Sequence, residues 1–162
     1  MLTSYTTYAD IRAALGVSDD ELPDDTLALD LYSTNLEFEF EDIHEDLIAE
    51  YVTVSAIAVA TRTTAQSRFY SLTGLFATYA VARQLGAALP MFSPKDITDG
   101  KAATARFQNP YKDTLKAINE QYDYAKGKLA NAYAALSAST RVSATPVFMG
   151  ISIPSYDPVT GS

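Results

Sequence analysis

The stretch that decides the fold is NPYKDTLKAINEQYDYAKGKLANAYAAL, residues 109–136. Tyr111, Leu115, Ile118, Tyr122, Ala125, Leu129, Ala132 and Leu136 fall at alternating steps of four and three, which keeps one apolar face in line along a helix. The pattern holds for more than three heptads, as in a coiled-coil seam. Asn109-Pro110 supplies a start signal, because Asn caps free N–H groups and Pro suits the first helical position. A helix with such a seam requires other helices to cover it.

The segments upstream provide them. Thr63-Thr-Ala-Gln66 reads as a capping box, and Phe69 to Leu89 is apolar nearly all round, with Gly74, Ala77, Ala80, Ala82 and Gly86 interspersed. Such a helix belongs at the centre of a bundle, where small residues admit close neighbours. Pro90 to Gly100, with two prolines and an Asp-Gly turn, reads as an ordered connection between these two helices. Near the start, Thr7-Tyr-Ala-Asp10 and Gly16 bracket a short helix over residues 8–15. Ser18-Asp-Asp-Glu21 repeats the capping pattern, and Pro23, Asp24 and Asp25 open a further helix. Its stripe of Leu29, Tyr32, Leu36, Phe40, Ile43 and Leu47 predicts one continuous helix to about residue 47, although Leu36 to Glu41 also alternates with the period of a strand. Residues 48–61 are rich in Val, Ile, Thr and Ala, and periodicity does not separate helix from extended chain there.

After Ser137 the helical period ends. Arg141 to Ser162 contains Pro146, Pro154 and Pro158 and reads as an extended arm. Its Val147, Phe148, Met149, Ile151 and Ile153 need cover from the bundle or from a partner. The expectation is therefore an all-α protein: a helical bundle of four to five helices over residues 1–138, with an extended C-terminal arm over residues 139–162.

Composition agrees with one folded unit, since a chain of 162 residues with 48% hydrophobic residues can bury roughly 70% of its unfolded surface in a single core. The absence of Cys excludes disulfides and thiolate metal sites and fits folding in a reducing cytosol. The start of the chain lacks a signal-peptide pattern, and no apolar run is long enough to span a bilayer. Net charge is −8, unfavourable for a protein that grips nucleic acid phosphates. That charge is unevenly placed. Residues 1–61 hold 14 acids and one base, Arg12, while residues 62–162 hold 6 acids and 11 bases.

Catalytic signals are sparse. Glu41-Asp-Ile-His44 is a Glu-x-x-His pattern of the kind used in carboxylate-bridged metal enzymes, where it occurs twice with further glutamates. Here it occurs once, and His44 is the only histidine, so the bland reading is a solvated acidic face. For a nucleophilic triad there is no His besides His44, no Cys and no Gly-x-Ser-x-Gly elbow. Gly100-Lys101 and Gly127-Lys128 lack the upstream Gly of a phosphate loop. Tyr122, Tyr124 and Tyr133 read as core and interface aromatics. No cofactor is expected.

Three regions together resemble the head-tail connector proteins of tailed bacteriophages. They are Tyr8 to Pro23, Leu75 to Ala82, and Leu89-Pro-Met-Phe-Ser-Pro94 followed by Ile97 to Lys101 and Arg106 to Tyr111. The resemblance covers most of residues 5–136, and its most specific part joins Asp99, Gly100 and Lys101 to Arg106 and Phe107. It implies a non-catalytic virion protein, made in the host cytoplasm, that acts as an adaptor in head completion. About twelve copies would form a ring beneath the portal, as closed cyclic assemblies are built, with a tail or further connector protein below and DNA passing through without specific binding. Membranes have no part in that role. Interface residues are expected at Asp99, Gly100, Lys101, Arg106 and Phe107, and on the arm at Val147, Phe148, Met149, Ile151 and Ile153. The charge split suggests a mechanism in which an acidic face meets a basic face of the next copy; the plain alternative is that both sets are merely solvated. Two other readings stay open: a carboxylate-bridged metal enzyme using Glu41 and His44, and a cytosolic helical interaction module.

Overall fold

The structure, a computed structural model, describes residues 1–86, the backbone of 96–99 and 102–105, and residues 112–140, the last three as backbone only. Within these residues the fold is the expected all-α bundle, with six helices rather than four to five and one short two-stranded hairpin. The helices are α1 (Tyr8–Leu15), α2 (Asp24–Leu27), α3 (Asp30–Glu41), α4 (Leu47–Ser55), α5 (Thr64–Gly86) and α6 (Lys112–Thr140). Single 3-10 turns lie at Leu2–Ser4 and Val59–Thr61. Between α5 and α6, β1 (Asp96–Asp99) and β2 (Ala102–Ala105) pair antiparallel with Asp99 opposite Ala102, which makes a small hairpin of the connection.

The local signals act as their chemistry dictates. Thr7 Oγ1 accepts from the Asp10 N–H at 3.1 Å, and Gly16 closes α1 at φ 70°, a left-handed conformation that suits Gly. The Ser18 N–H and hydroxyl both donate to the Glu21 carboxylate, at 2.9 and 3.1 Å, and hold its pKa below the ordinary value. Thr63 and Gln66 cap α5 reciprocally, with backbone-to-side-chain distances of 2.9 and 3.2 Å.

The single helix expected from residue 24 to 47 is instead three. Leu29 is extended, at φ −60° and ψ 132°, and breaks α2 from α3. The reason is angular. Leu27 and Leu36 are both fully buried, yet nine residues of unbroken helix would place them about 180° apart. The break turns both inward and leaves Leu29, assigned to the stripe from sequence, 53% exposed. A second turn at residues 42–46 separates α3 from α4, so Glu41 ends one helix while His44 lies between helices. The His44 Nδ1 accepts from the Asp46 N–H at 3.1 Å and helps begin α4. The ambiguous stretch after residue 47 is helical as far as Ser55, with Leu47, Tyr51 and Val54 buried at steps of four and three. Arg62 then secures its end, donating to the Ile57 and Ser55 carbonyls at 2.9 and 3.0 Å while its guanidinium lies 4.2 Å from the centre of the Tyr70 ring.

The core is centred on α5, buried over most of its circumference, and on the α6 seam of Ile118, Tyr122, Ala125, Leu129, Ala132 and Leu136. The two helices run antiparallel, because Phe76 meets Tyr122 and the earlier Phe69 meets the later Tyr133. Aromatic rings link the elements: Tyr5 to Phe40 at 5.0 Å, Phe40 to Phe76 at 5.5 Å and Phe76 to Tyr122 at 5.4 Å. Gly74 allows the backbone near Tyr5 to approach α5 closely; a Cβ there would stand 3.1 Å from the Tyr5 carbonyl oxygen.

Candidate interaction surfaces

The α1–α4 half of the bundle carries the acids. All 14 acids of residues 1–61 are exposed except Glu37, Glu39 and Glu50, which are half-buried. Helix α5 has no acid at all, only Arg68 and Arg83, and α6 adds four lysines against three acids over residues 112–137. The charge division in the sequence therefore becomes a division between the two parts of the fold.

On α3 the helical period sorts residues into two arcs. Leu36 and Phe40 point into the core, whereas Leu31, Thr34, Phe38, Glu41 and Asp42 share the solvent side. Leu31 and Phe38, seven residues apart and within about 20° of one another, are 59% and 61% exposed. Two large apolar residues set among carboxylates on a solvated face form a recognisable contact surface. Sequence reading missed them. The strand-like alternation from Leu36 to Glu41 drew both Phe38 and Phe40 to notice, and only the register of α3 separates the outer ring from the inner.

Across the molecule, α5 and α6 form a shallow groove of about 360 Å³ lined by Thr64, Ala65, Arg68, Asn131, Ala132 and Ala135. Arg68 is exposed and has no ion-pair partner among the described residues. A second cleft, about 570 Å³, lies between α1 and α5, with Tyr5, Asp10, Ala13, Gly74 and Leu75 among its lining. Its one carboxylate, Asp10, is already engaged by the Thr7 hydroxyl at 2.6 Å. The only histidine, His44, is not among the lining residues, so the cleft presents no imidazole to activate a nucleophile.

A polar cluster joins α3, α5 and α6 on one side of the core. The Asn35 Nδ2 donates to Gln84 Oε1 at 3.3 Å, the Arg83 guanidinium lies 4.4 Å from the centre of the Tyr122 ring, and the Tyr122 hydroxyl bonds to the Glu39 side chain. Burial first, and then the Glu39 charge, push the Tyr122 phenol up to about 12, while Arg83 opposes the shift. The cluster ties three helices together, and within it Glu39 Oε2 and Gln84 Nε2 are buried with no hydrogen-bond partner among the described residues.

His44 packs its ring on Tyr133, centroid to centroid 4.4 Å, rather than facing a set of carboxylates. Among the described residues no group of three or more His, Cys, Asp or Glu is arranged to hold a metal ion. Of the residues expected at interfaces, Asp99 is the last residue of β1. Gly100, Lys101, Arg106, Phe107, Val147, Phe148, Met149, Ile151 and Ile153 lie outside the described residues, as does most of the predicted arm. No helix among the described residues is long and apolar enough to cross a membrane. The chain matches no family model, no curated protein and no solved structure.

Proposed function

We propose that this protein is a structural, non-catalytic subunit of a ring, and specifically a head-tail connector of a tailed bacteriophage, assembled on the portal and open to passing DNA. The observation that carries the ring reading is the segregation of charge in the folded chain. Acids dominate the surface of α1–α4, bases dominate α5–α6, and unlike faces on one subunit favour repeated head-to-tail association. Such a heterologous contact closes into a ring when the rotation permits and otherwise gives open filaments. The particular ring, its portal partner and its place in the virion come from the resemblance of the three sequence regions. Acidic surface turned toward a channel would also repel phosphates and let DNA slide.

The experiment is to mix the purified protein with portal rings and observe negatively stained particles, with light scattering in parallel. The expected result is an added ring of about twelve 17.6 kDa copies per portal, weakened as salt is raised. Absence of portal binding at every salt concentration, or stoichiometric metal together with substrate turnover in the purified protein, would overturn the proposal.

A further inference from the structure

We infer that the contact between neighbouring copies is made by α3 of one subunit seated on the α5/α6 groove of the next, with Phe38 and Leu31 entering the groove and Glu41 facing Arg68. This inference rests on the ring reading above and assigns its interface.

Three observations support it. First, the charges are complementary where the surfaces are. Asp30, Glu41 and Asp42 are exposed on or beside the α3 face, and the groove carries Arg68 on α5, with Lys128 one turn before Asn131 on the same side of α6. Second, the shapes correspond in length. Leu31 and Phe38 are seven residues apart, about 10 Å along the helix, as are Lys128 and Ala135, and the small side chains of Ala65, Ala132 and Ala135 leave the groove open to large ones. A groove of about 360 Å³ has room for a phenyl ring and an isobutyl group.

Third, the two surfaces do not meet within one chain. Asn35, on the same helix as Leu31, hydrogen-bonds Gln84 near the end of α5. The groove is built from the first turns of α5 and from α6, and although α3 runs back toward that level, with Phe40 against Phe76 and His44 after its end against Tyr133, no α3 residue lines it. A patch and a complement that stay apart in one subunit can both be satisfied by a second copy, and the same relation then repeats at each subunit. An isologous α3-to-α3 pairing would instead bring Glu41 and Asp42 toward their own kind, which costs free energy.

The test places the photoreactive residue benzoylphenylalanine at position 38, an aromatic for an aromatic, in the full-length chain. The protein is irradiated alone from micromolar to millimolar concentration and again on portal rings. The expected product is a covalent multimer in which position 38 is joined to tryptic peptide 63–68 or 129–141 of a second copy. Arg68→Glu should lower its yield about fivefold or more, Arg68→Lys should keep most of it, and Glu41→Arg combined with Arg68→Glu should restore it. Circular dichroism of each variant checks that the fold is intact, as expected for exposed positions.

Crosslinks to peptide 13–62 of a second copy, which contains α3 itself, would overturn the assignment in favour of a two-fold contact. Crosslinks to portal alone would overturn it in favour of a docking role for α3. In both cases rings seen on the portal would leave the connector reading standing. Neither rings nor any self-crosslink up to millimolar concentration would remove both.

Discussion

The N-terminal segment is fastened to the central helix by two buried hydroxyls, and the direction of their hydrogen bonds makes an asymmetric prediction. Thr6 and Thr78 are 7% and 9% exposed, with their Oγ1 atoms 2.6 Å apart. The Thr78 hydroxyl donates to the Gly74 carbonyl at 3.0 Å, so its proton is committed and Thr6 must be the donor of the pair. Thr78→Val removes the acceptor and leaves the Thr6 hydroxyl, which is 7% exposed on the lining of the cleft between α1 and α5, without its protein partner, a loss of about 1–3 kcal/mol. At roughly 2–4 °C per kcal/mol for a domain of this size, thermal denaturation followed by circular dichroism should fall by about 4–8 °C for a mid-range effect. Thr6→Val leaves the Thr78 proton in place and should cost less than about 1 kcal/mol. The double variant has no stranded donor and should be more stable than Thr78→Val alone. Urea titration gives the same cycle in free energies. If Thr6→Val is the costlier single change, or the two losses simply add, the inferred direction of donation is wrong.

Leu129→Ala empties a fully buried position in the middle of the α6 seam and should cost about 2–5 kcal/mol, with a matching loss of urea midpoint. Gly16→Ala forces a side chain into a left-handed conformation and should cost about 1–2 kcal/mol, despite open space around it. Alkaline stability should decline between pH 10 and 12. Burial raises the Tyr5, Tyr51 and Tyr122 phenols above 10, the last to about 12, so in that window the unfolded chain releases protons that the folded one retains. The stabilising difference is complete below pH 10, and Tyr122→Phe should flatten the decline in thermal melts.

Reading the chain by period and caps recovered what depends on neighbours in sequence. Thr7, Gly16, Thr63 and Gln66 act locally, and the α6 seam repeats so often that tertiary packing has only to accept it. The missed features are those in which distant contacts decide. The break at Leu29 exists because Leu27 and Leu36 must both face the core, a demand with no local marker. The same holds for the turn around His44, which brings Tyr51 back to within 5.1 Å of Tyr5 and lets its hydroxyl donate to the Ser4 carbonyl at 2.7 Å. Glu-x-x-His reads as a helical metal motif only if Glu41 and His44 share a helix, and they do not. The charge halves of the bundle were legible by counting; the apolar pair within the acidic half was not, because Phe38 differs from Phe40 only in the direction α3 gives it.

The size of the α3 surface bears on how assembly is controlled. Fully burying a Leu or Phe side chain contributes about 1.5–3 kcal/mol, so covering the 60% or so of Leu31 and Phe38 that remains exposed contributes roughly 2–4 kcal/mol for the pair. Exposed ion pairs such as the proposed one between Glu41 and Arg68 would add under about 1 kcal/mol each. Association of two free proteins costs an estimated 4–15 kcal/mol in lost translational and rotational freedom. One such contact therefore falls short of holding a free dimer at cellular concentrations. Copies bound side by side on a pre-formed ring have already lost that freedom, and each meets its neighbour at an effective concentration near millimolar. The same weak contact then suffices, and closure gives every subunit two of them. On the proposed reading, a surface of this strength would keep the subunit monomeric until a template presents it, the behaviour expected of an adaptor whose rings form only where a portal already stands.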